Sequence, residues 1–291
     1  MGFGEAFTVA RRHAPRFCVV AAACGASLAS VPAQTILAGR FEIFHGPEGM
    51  TGLLHAAETG APRSGAVLIV HDVLGMDTRG HRYTAQLTAA GLAVLEIELR
   101  ANPADDSVPE PLPSEAEAAG LVARAAAALA NDPRVDPNRV GALGFGIGAR
   151  AVALAPPRGD GLDAFAARVL LYPACASLQQ VVQAPQRAAA PTRSPVLLLH
   201  GEDDPINSPA ECDGLSAALG KTAHVRRISY RAAGYAWDLP QSGGSEHSKQ
   251  HRPDGQDTIP VRSWPELAEL SAAQAAAFLA GTLSRAPGNQ E

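Results

Sequence analysis

The chain has 291 residues, 46% of them hydrophobic and only 18% charged, a balance too apolar for a disordered protein and sufficient for one large core. With 24 Lys and Arg against 29 Asp and Glu, the formal net charge is -5, so there is no cationic excess to neutralise phosphates. Nucleic acid and anionic membrane are excluded as expected partners, which leaves a small neutral ligand as the expectation.

Arg11, Arg12, His13 and Arg16 precede an apolar run over residues 17–28, and Val31-Pro32-Ala33 then stands ahead of Gln34. A basic start, a short apolar run and a small-residue exit make an export signal. The expected division is a signal peptide over residues 1–33 and a single domain over residues 34–291, periplasmic or secreted. The run falls short of the roughly 20 apolar residues that cross a bilayer, so no membrane span is expected after processing. Arg11-Arg12 and Ala21-Ala22-Ala23-Cys24 match twin-arginine and lipidation signals only loosely. Removal of the signal takes Cys18 and Cys24 with it and leaves Cys175 and Cys212 in an oxidising compartment, where they are expected to pair. Such a bridge contributes about 3 kcal/mol; the alternative is two buried thiols. Two isolated cysteines lack the clustering zinc needs, so neither a metal nor a cofactor is expected.

Residues 40–44 and 51–57 read as a pair of short antiparallel strands. Beyond them the chain alternates: a buried strand over residues 66–70, a helix over 82–90 and a strand over 92–98. An alanine-rich helix follows over residues 114–129, with Ser114 and Glu117 at capping-box spacing and Asp132-Pro133 as its stop. Residues 140–144 form a strand and 147–154 a helix. Strands over 168–172, 195–200 and 225–230 continue the sheet, and a helix over 267–283 closes it. Residues 239–260 are polar and rich in Gly, Ser and His, and read as a mobile loop. Strand and helix in alternation imply an α/β fold, a mostly parallel sheet with helices on both faces.

Gly144-Phe145-Gly146-Ile147-Gly148 falls where an apolar strand hands over to a helix. In that context G-x-S-x-G makes a nucleophile elbow, and here its central side chain is missing at Gly146. Gly144, Gly146 and Ala149 also satisfy G-x-G-x-x-A, a dinucleotide-binding turn. That reading needs an acid at the end of the next strand, and residues 169–172 run into Pro173 and Ala174 instead. His71, Asp72 and Val73 follow the first parallel strand, where backbone amides form half of an oxyanion hole, the amide of Ile147 being the other half. Asp204, in His200-Gly201-Glu202-Asp203-Asp204-Pro205, ends a later strand where a triad acid belongs.

At these residues the chain resembles the dienelactone hydrolase family, an α/β-hydrolase fold whose reaction is ester and lactone hydrolysis. The resemblance runs from about Ala66 to the C-terminus. It implies an elbow with cysteine or serine, an acid in Gly-x-x-Asp and a histidine in a Gly-x-x-His-x-Phe-like turn. Carried over, the nucleophile position is Gly146, the acid is Asp204, and the histidine position is Tyr235 in Gly234-Tyr235-Ala236-Trp237-Asp238. An acid near the nucleophile is retained as Asp72, and Tyr172-Pro173-Ala174-Cys175 with Cys212 resembles a subgroup with paired cysteines there.

A glycine has no nucleophile, and a phenol with a pKa near 10 is not a shuttling base at neutral pH. The leading expectation is an exported family member without acyl-transfer chemistry, binding a small ester or carbonyl ligand or a partner through His71, Asp72, Val73 and Ile147. The rival expectation is a hydrolase in which His71 with Asp72 activates a water over the vacant elbow.

Overall fold

In the chain's computed structural model, residues 41–57, 63–99, 111–184, 193–240, 248–253 and 257–284 are described, and the segment read as an export signal lies outside them. Strands β1 (Phe41–His45) and β2 (Thr51–His55) form an antiparallel hairpin. Strand and helix then alternate through β3 (Ser64–Val70), α1 (Thr78–Ala89), β4 (Ala93–Ile97), α2 (Glu115–Ala130), β5 (Val135–Phe145) and α3 (Ile147–Leu154). The series continues with β6 (Arg168–Leu171), α4 (Cys175–Gln183), β7 (Val196–Gly201), α5 (Pro209–Leu219) and β8 (Val225–Tyr230). A second hairpin, β9 (Ser248–His251) with β10 (Thr258–Val261), precedes the last helix, α6 (Pro265–Leu283).

The eight-stranded sheet has the order β1-β2-β4-β3-β5-β6-β7-β8. Six strands from β4 to β8 are parallel, and β2 and β1 add antiparallel at one edge. Strands β3, β4 and β7 are buried along their whole length because helices cover both faces, which explains their unbroken apolar runs. Successive residues alternate between two cores: Leu68 and Val70 pack with α2, α3, α4 and α5, whereas Val67 and Ile69 pack with α1 and α6.

Local signals set most boundaries. The Ser114–Glu117 capping box opens α2, and a second box, Ser208–Glu211, opens α5. Helices α4 and α5 have no counterpart among the sequence expectations. Helix α1 starts a turn earlier than residue 82 because the Asp77 carboxylate accepts from the Arg79 amide. The loop expected over residues 239–260 is in part a hairpin: Ile259 and Val261 alternate inward and join the core of α1 and α6. Cys175 and Cys212 form a disulfide between α4 and α5, Cα–Cα 5.0 Å, as expected.

Candidate functional site

From β3 the parallel strands are laid down in two directions, β4 to one side and β5 to β8 to the other, so the loops after β3 and β5 part at the carboxyl edge. Such a switch point is where open α/β sheets hold their ligands. Gly146 lies there as the N-cap of α3, with φ 50° and ψ -112°. A β-carbon on Gly144 would strike the Ala149 amide, and one on Gly148 the Val70 carbonyl, so both flanking glycines are needed to seat α3 against the sheet. The sharp strand-to-helix turn is therefore kept although its central side chain is gone.

The space above Gly146 is occupied. A β-carbon there would lie 2.7 Å from Tyr235 Oη, 3.6 Å from Asp72 Cβ and 3.8 Å from Pro253 Cβ. Tyr235 is 1% exposed, and its ring stands edge-on to Tyr172 with centroids 5.0 Å apart. Tyr172 in turn packs edge-on to Trp237 at 5.2 Å. Gly146 and Tyr235 are thus one steric arrangement, in which the phenol fills the volume a nucleophile's first carbon would take. This corrects the expectation of a vacant elbow with room for a catalytic water.

Beneath the elbow lies a buried polar network. Arg79 donates through Nη1 to Asp72 Oδ2 at 2.8 Å and through Nη2 to Asp72 Oδ1 at 2.9 Å, while its Nε reaches Asp77. Its guanidinium also lies over the Phe145 ring, 5.1 Å from the centroid. Burial alone would raise the Asp72 pKa, but the Arg79 charge and hydrogen bonds and the Leu74 amide outweigh it, so Asp72 stays ionised. Tyr172 Oη donates to Asp238 Oδ1 at 2.7 Å and Tyr83 Oη to Asp238 Oδ2 at 2.8 Å, which ties the Tyr235–Asp238 turn to β6 and α1. Burial raises the Asp238 pKa.

Asp204 lies after β7, 2% exposed, accepting from the Ile206 amide at 3.0 Å and from Asn207 Nδ2 at 3.0 Å. Burial pushes its pKa up to about 6. Its charge helps to raise the pKa of the Tyr235 hydroxyl, after burial and Asp72, with Arg79 opposing them. Val73 is buried beside Asp72, and Ile147 is half-buried in the first turn of α3.

His71 is brought elsewhere. It is fully buried, its Nε2 lies 3.0 Å from Glu96 Oε2, and its ring packs 5.6 Å from that of Phe145. Among the described residues its buried Nδ1 has no partner. Asp72 is fully engaged by Arg79 and the Leu74 amide, so the two neighbours form no dyad, which corrects the expectation that they jointly activate water. The same Glu96 accepts from Thr84 Oγ1 at 2.8 Å and lies 3.2 Å from His55 Nε2.

Arg79, Tyr172, Tyr83, Asp238, Asn207 and Pro253 were not singled out from the sequence. Tyr172 and Asp238 stood only inside longer motifs; Arg79 and Tyr83 come from α1, and the others from the segments after β6, β7, β8 and β9. Four non-glycine residues with positive φ, Tyr172 (41°), Ala174 (58°), Ala232 (60°) and Ala236 (48°), follow β6 and β8 at this same edge. Such backbone costs about 1–3 kcal/mol per residue and clusters where geometry is held for a purpose. A depression of about 430 Å³ opens at the opposite, amino edge between Asn138, Arg158, Phe165 and Arg193, remote from the elbow. Its carboxylate, Asp163, is already used by the Arg193 and Ser194 amides.

The dienelactone hydrolase family model matches residues 51–258. No curated protein matches the chain by sequence. Among solved structures, the chain is similar to a dienelactone hydrolase-like promiscuous phosphotriesterase from metagenomic libraries, with 18% identity, TM-score 0.59, and 84% of this chain and 98% of that one covered. It is similar to a butyrate-bound esterase from Thermogutta terrifontis, with 12% identity, TM-score 0.60, and 88% and 98% covered. A hyperthermophilic esterase from Pyrobaculum calidifontis is 16% identical, with TM-score 0.58, and 83% and 85% covered. At these identities the likeness shows the fold, the α/β-hydrolase sheet with helices on both faces.

Proposed function

The chain belongs to the dienelactone hydrolase family, and from that premise we propose that it is an exported member that has lost acyl transfer and keeps the crevice as a binding site for a small ester or carbonyl compound. One observation carries the reading: the Tyr235 hydroxyl lies 2.7 Å from where a β-carbon of residue 146 would be. Acyl transfer needs a nucleophile there and an imidazole at the position of Tyr235 to take its proton. Neither group is present, and burial followed by the charge of Asp72 holds the Tyr235 phenol well above its usual pKa, so it keeps its proton. Removing such a set from a triad enzyme costs roughly 10⁶ in turnover. The retained Asp204 has lost the imidazole it would orient, and its hydrogen bonds go to Ile206 and Asn207 instead.

The oxidised pair Cys175–Cys212 supports the export part of the reading, because disulfides persist in oxidising compartments. N-terminal sequencing of the exported protein should begin at Gln34.

Hydrolysis of p-nitrophenyl acetate tests the chemistry. The wild type should be inert beside a buffer control, and the Gly146→Ser, Tyr235→His double variant should gain activity. Turnover by the wild type at rates of at least ~1 s⁻¹, usual for enzymes, would refute the proposal.

A further inference from the structure

We infer that strand β1 pairs antiparallel with the β1 of a second copy of this chain, across a two-fold axis at Ile43, so that two sheets join edge to edge. The inference is independent of what the elbow binds.

Among the described residues β1 is an edge of the eight-stranded sheet, with β2 on one side and no strand on the other. Which of its backbone groups are left over follows from its neighbours. The hairpin closes with the Gly46 amide donating to the Met50 carbonyl at 2.8 Å, so by alternation Phe44 and Glu42 also turn their N–H and C=O groups toward β2. The far side agrees. The Ile97 carbonyl accepts from the His71 amide, so Ile97 faces β3 and Glu96 faces β2; Leu53, opposite Glu96, then faces β4, and Ile43, opposite Leu53, faces outward. The backbone groups of Phe41, Ile43 and His45 therefore point away from the sheet. The side chains of these residues also share one face of the strand. Phe41 is 57% and Ile43 64% exposed, the two most exposed large apolar side chains among the described residues. Unpaired backbone and uncovered apolar surface thus fall on the same residues.

A bare apolar edge is a template for another strand, and folded proteins guard such edges with charge, proline or a cover. The opposite edge, β8, carries Arg226 and Arg227. Strand β1 has its one carboxylate, Glu42, on the other face, held by Arg134 Nη1 at 3.0 and 3.1 Å. Its sequence, Phe-Glu-Ile-Phe-His, is complementary to itself. Centred on Ile43, an antiparallel pairing sets Ile43 against Ile43, Phe41 against His45 and Glu42 against Phe44. The outward-facing pairs exchange two backbone bonds each, about six in all, and no charge stands opposite its like. Glu42 lies diagonal to Glu42 of the other copy, and each is neutralised by the Arg134 of its own chain. A register moved by two residues either opposes Glu42 to Glu42 or carries Phe41 past the end of the opposing strand. Pairing of β1 with the β8 of another copy would leave a free edge at each end and grow on, whereas β1 with β1 closes as a dimer.

Sedimentation equilibrium of the purified protein over about 1–100 µM tests the pairing, since a dimer's population follows protomer concentration. The wild type should reach twice the mass of the chain. Ile43→Lys sets two like charges against each other at the axis and should raise the dissociation constant at least ~100-fold. Its melting temperature at a concentration where both proteins are monomeric should stay within ~2 °C of the wild type, because the residue is 64% exposed. Two cysteine variants read the register. Opposed Cα atoms of a bonded antiparallel pair lie about 5.5 Å apart, within reach of a disulfide, whereas the two Phe41 positions are displaced along the strands to about 14 Å. Mild oxidation should therefore link Ile43→Cys into a dimer on a non-reducing gel and leave Phe41→Cys at the level of the wild type. If Ile43→Lys fails to fold, the cysteine pair still decides. A wild type that stays monomeric, as it would if the chain covered its own edge, overturns the inference. So do a mass that grows beyond the dimer, a dimer that survives Ile43→Lys, and equal linking of the two cysteine variants.

Discussion

Gly146→Ser puts a β-carbon 2.7 Å from Tyr235 Oη, inside any ordinary carbon–oxygen contact, at a residue whose φ of 50° already disfavours a side chain. The tyrosine cannot swing clear, because its ring is 1% exposed and stands against Tyr172. Overpacking costs about 1–3 kcal/mol and the left-handed backbone about 1 kcal/mol more, so the single variant should lose about 2–4 kcal/mol. Tyr235→His removes part of the aromatic packing and should lose about 2 kcal/mol by itself. In the double variant the clash is absent, so its loss should fall short of the sum of the singles by about 1–3 kcal/mol. Urea unfolding of the four proteins reads that coupling, provided each unfolds in a single transition. Losses that add to within about 0.5 kcal/mol would refute the idea that the hydroxyl occupies the nucleophile's place.

Asp204 has its pKa raised by burial to about 6, so the folded protein holds this proton more tightly than the unfolded chain. Its contribution is intact below pH 3.8 and is lost as pH rises through about 6, on the order of 3 kcal/mol. Asp204→Asn should therefore gain stability relative to the wild type between pH 4 and pH 7.5, and a difference that stays constant across urea midpoints at the two pH values would count against this. Glu96 is the opposite case: burial pushes its pKa up, but the hydrogen bonds of His55, His71 and Thr84 prevail and bring it to about 2. Its contribution, of order 3 kcal/mol, is present above pH 4.5 and lost as pH falls through about 2. The acid limb of a stability profile should accordingly be shallower in Glu96→Gln, and identical limbs would exclude that role. The disulfide closes a sequence separation of 37 residues, for which chain entropy gives about 4 kcal/mol. Replacing both cysteines by serine should cost that order in urea unfolding, and a loss below about 1 kcal/mol would contradict it.

The sheet and its elbow were legible in the sequence because their causes are local. Unbroken apolar runs at residues 66–70 and 195–200 mark strands covered on both faces, and the glycine spacing from Gly144 to Gly148 marks a turn that only small residues allow. The capping box at Ser114 marks the start of α2 for the same reason, and an equivalent box at Ser208 opens α5. The hairpin at residues 248–261 was hidden because, among its described residues, just Pro253, Ile259 and Val261 are buried in an otherwise polar stretch.

What the residues around the elbow do was a matter for tertiary structure. Sequence identified the glycine at 146 and the tyrosine at 235, but only the fold brings the phenol into the volume above the glycine and makes the two substitutions a single fit. The neighbours His71 and Asp72 are drawn apart, one to Glu96 on the adjacent strand and the other to Arg79 on the first helix. Backbone pattern follows from near neighbours along the chain. The partner of a buried charge or hydroxyl is chosen by whichever group, from whatever element, reaches the same few ångströms of space.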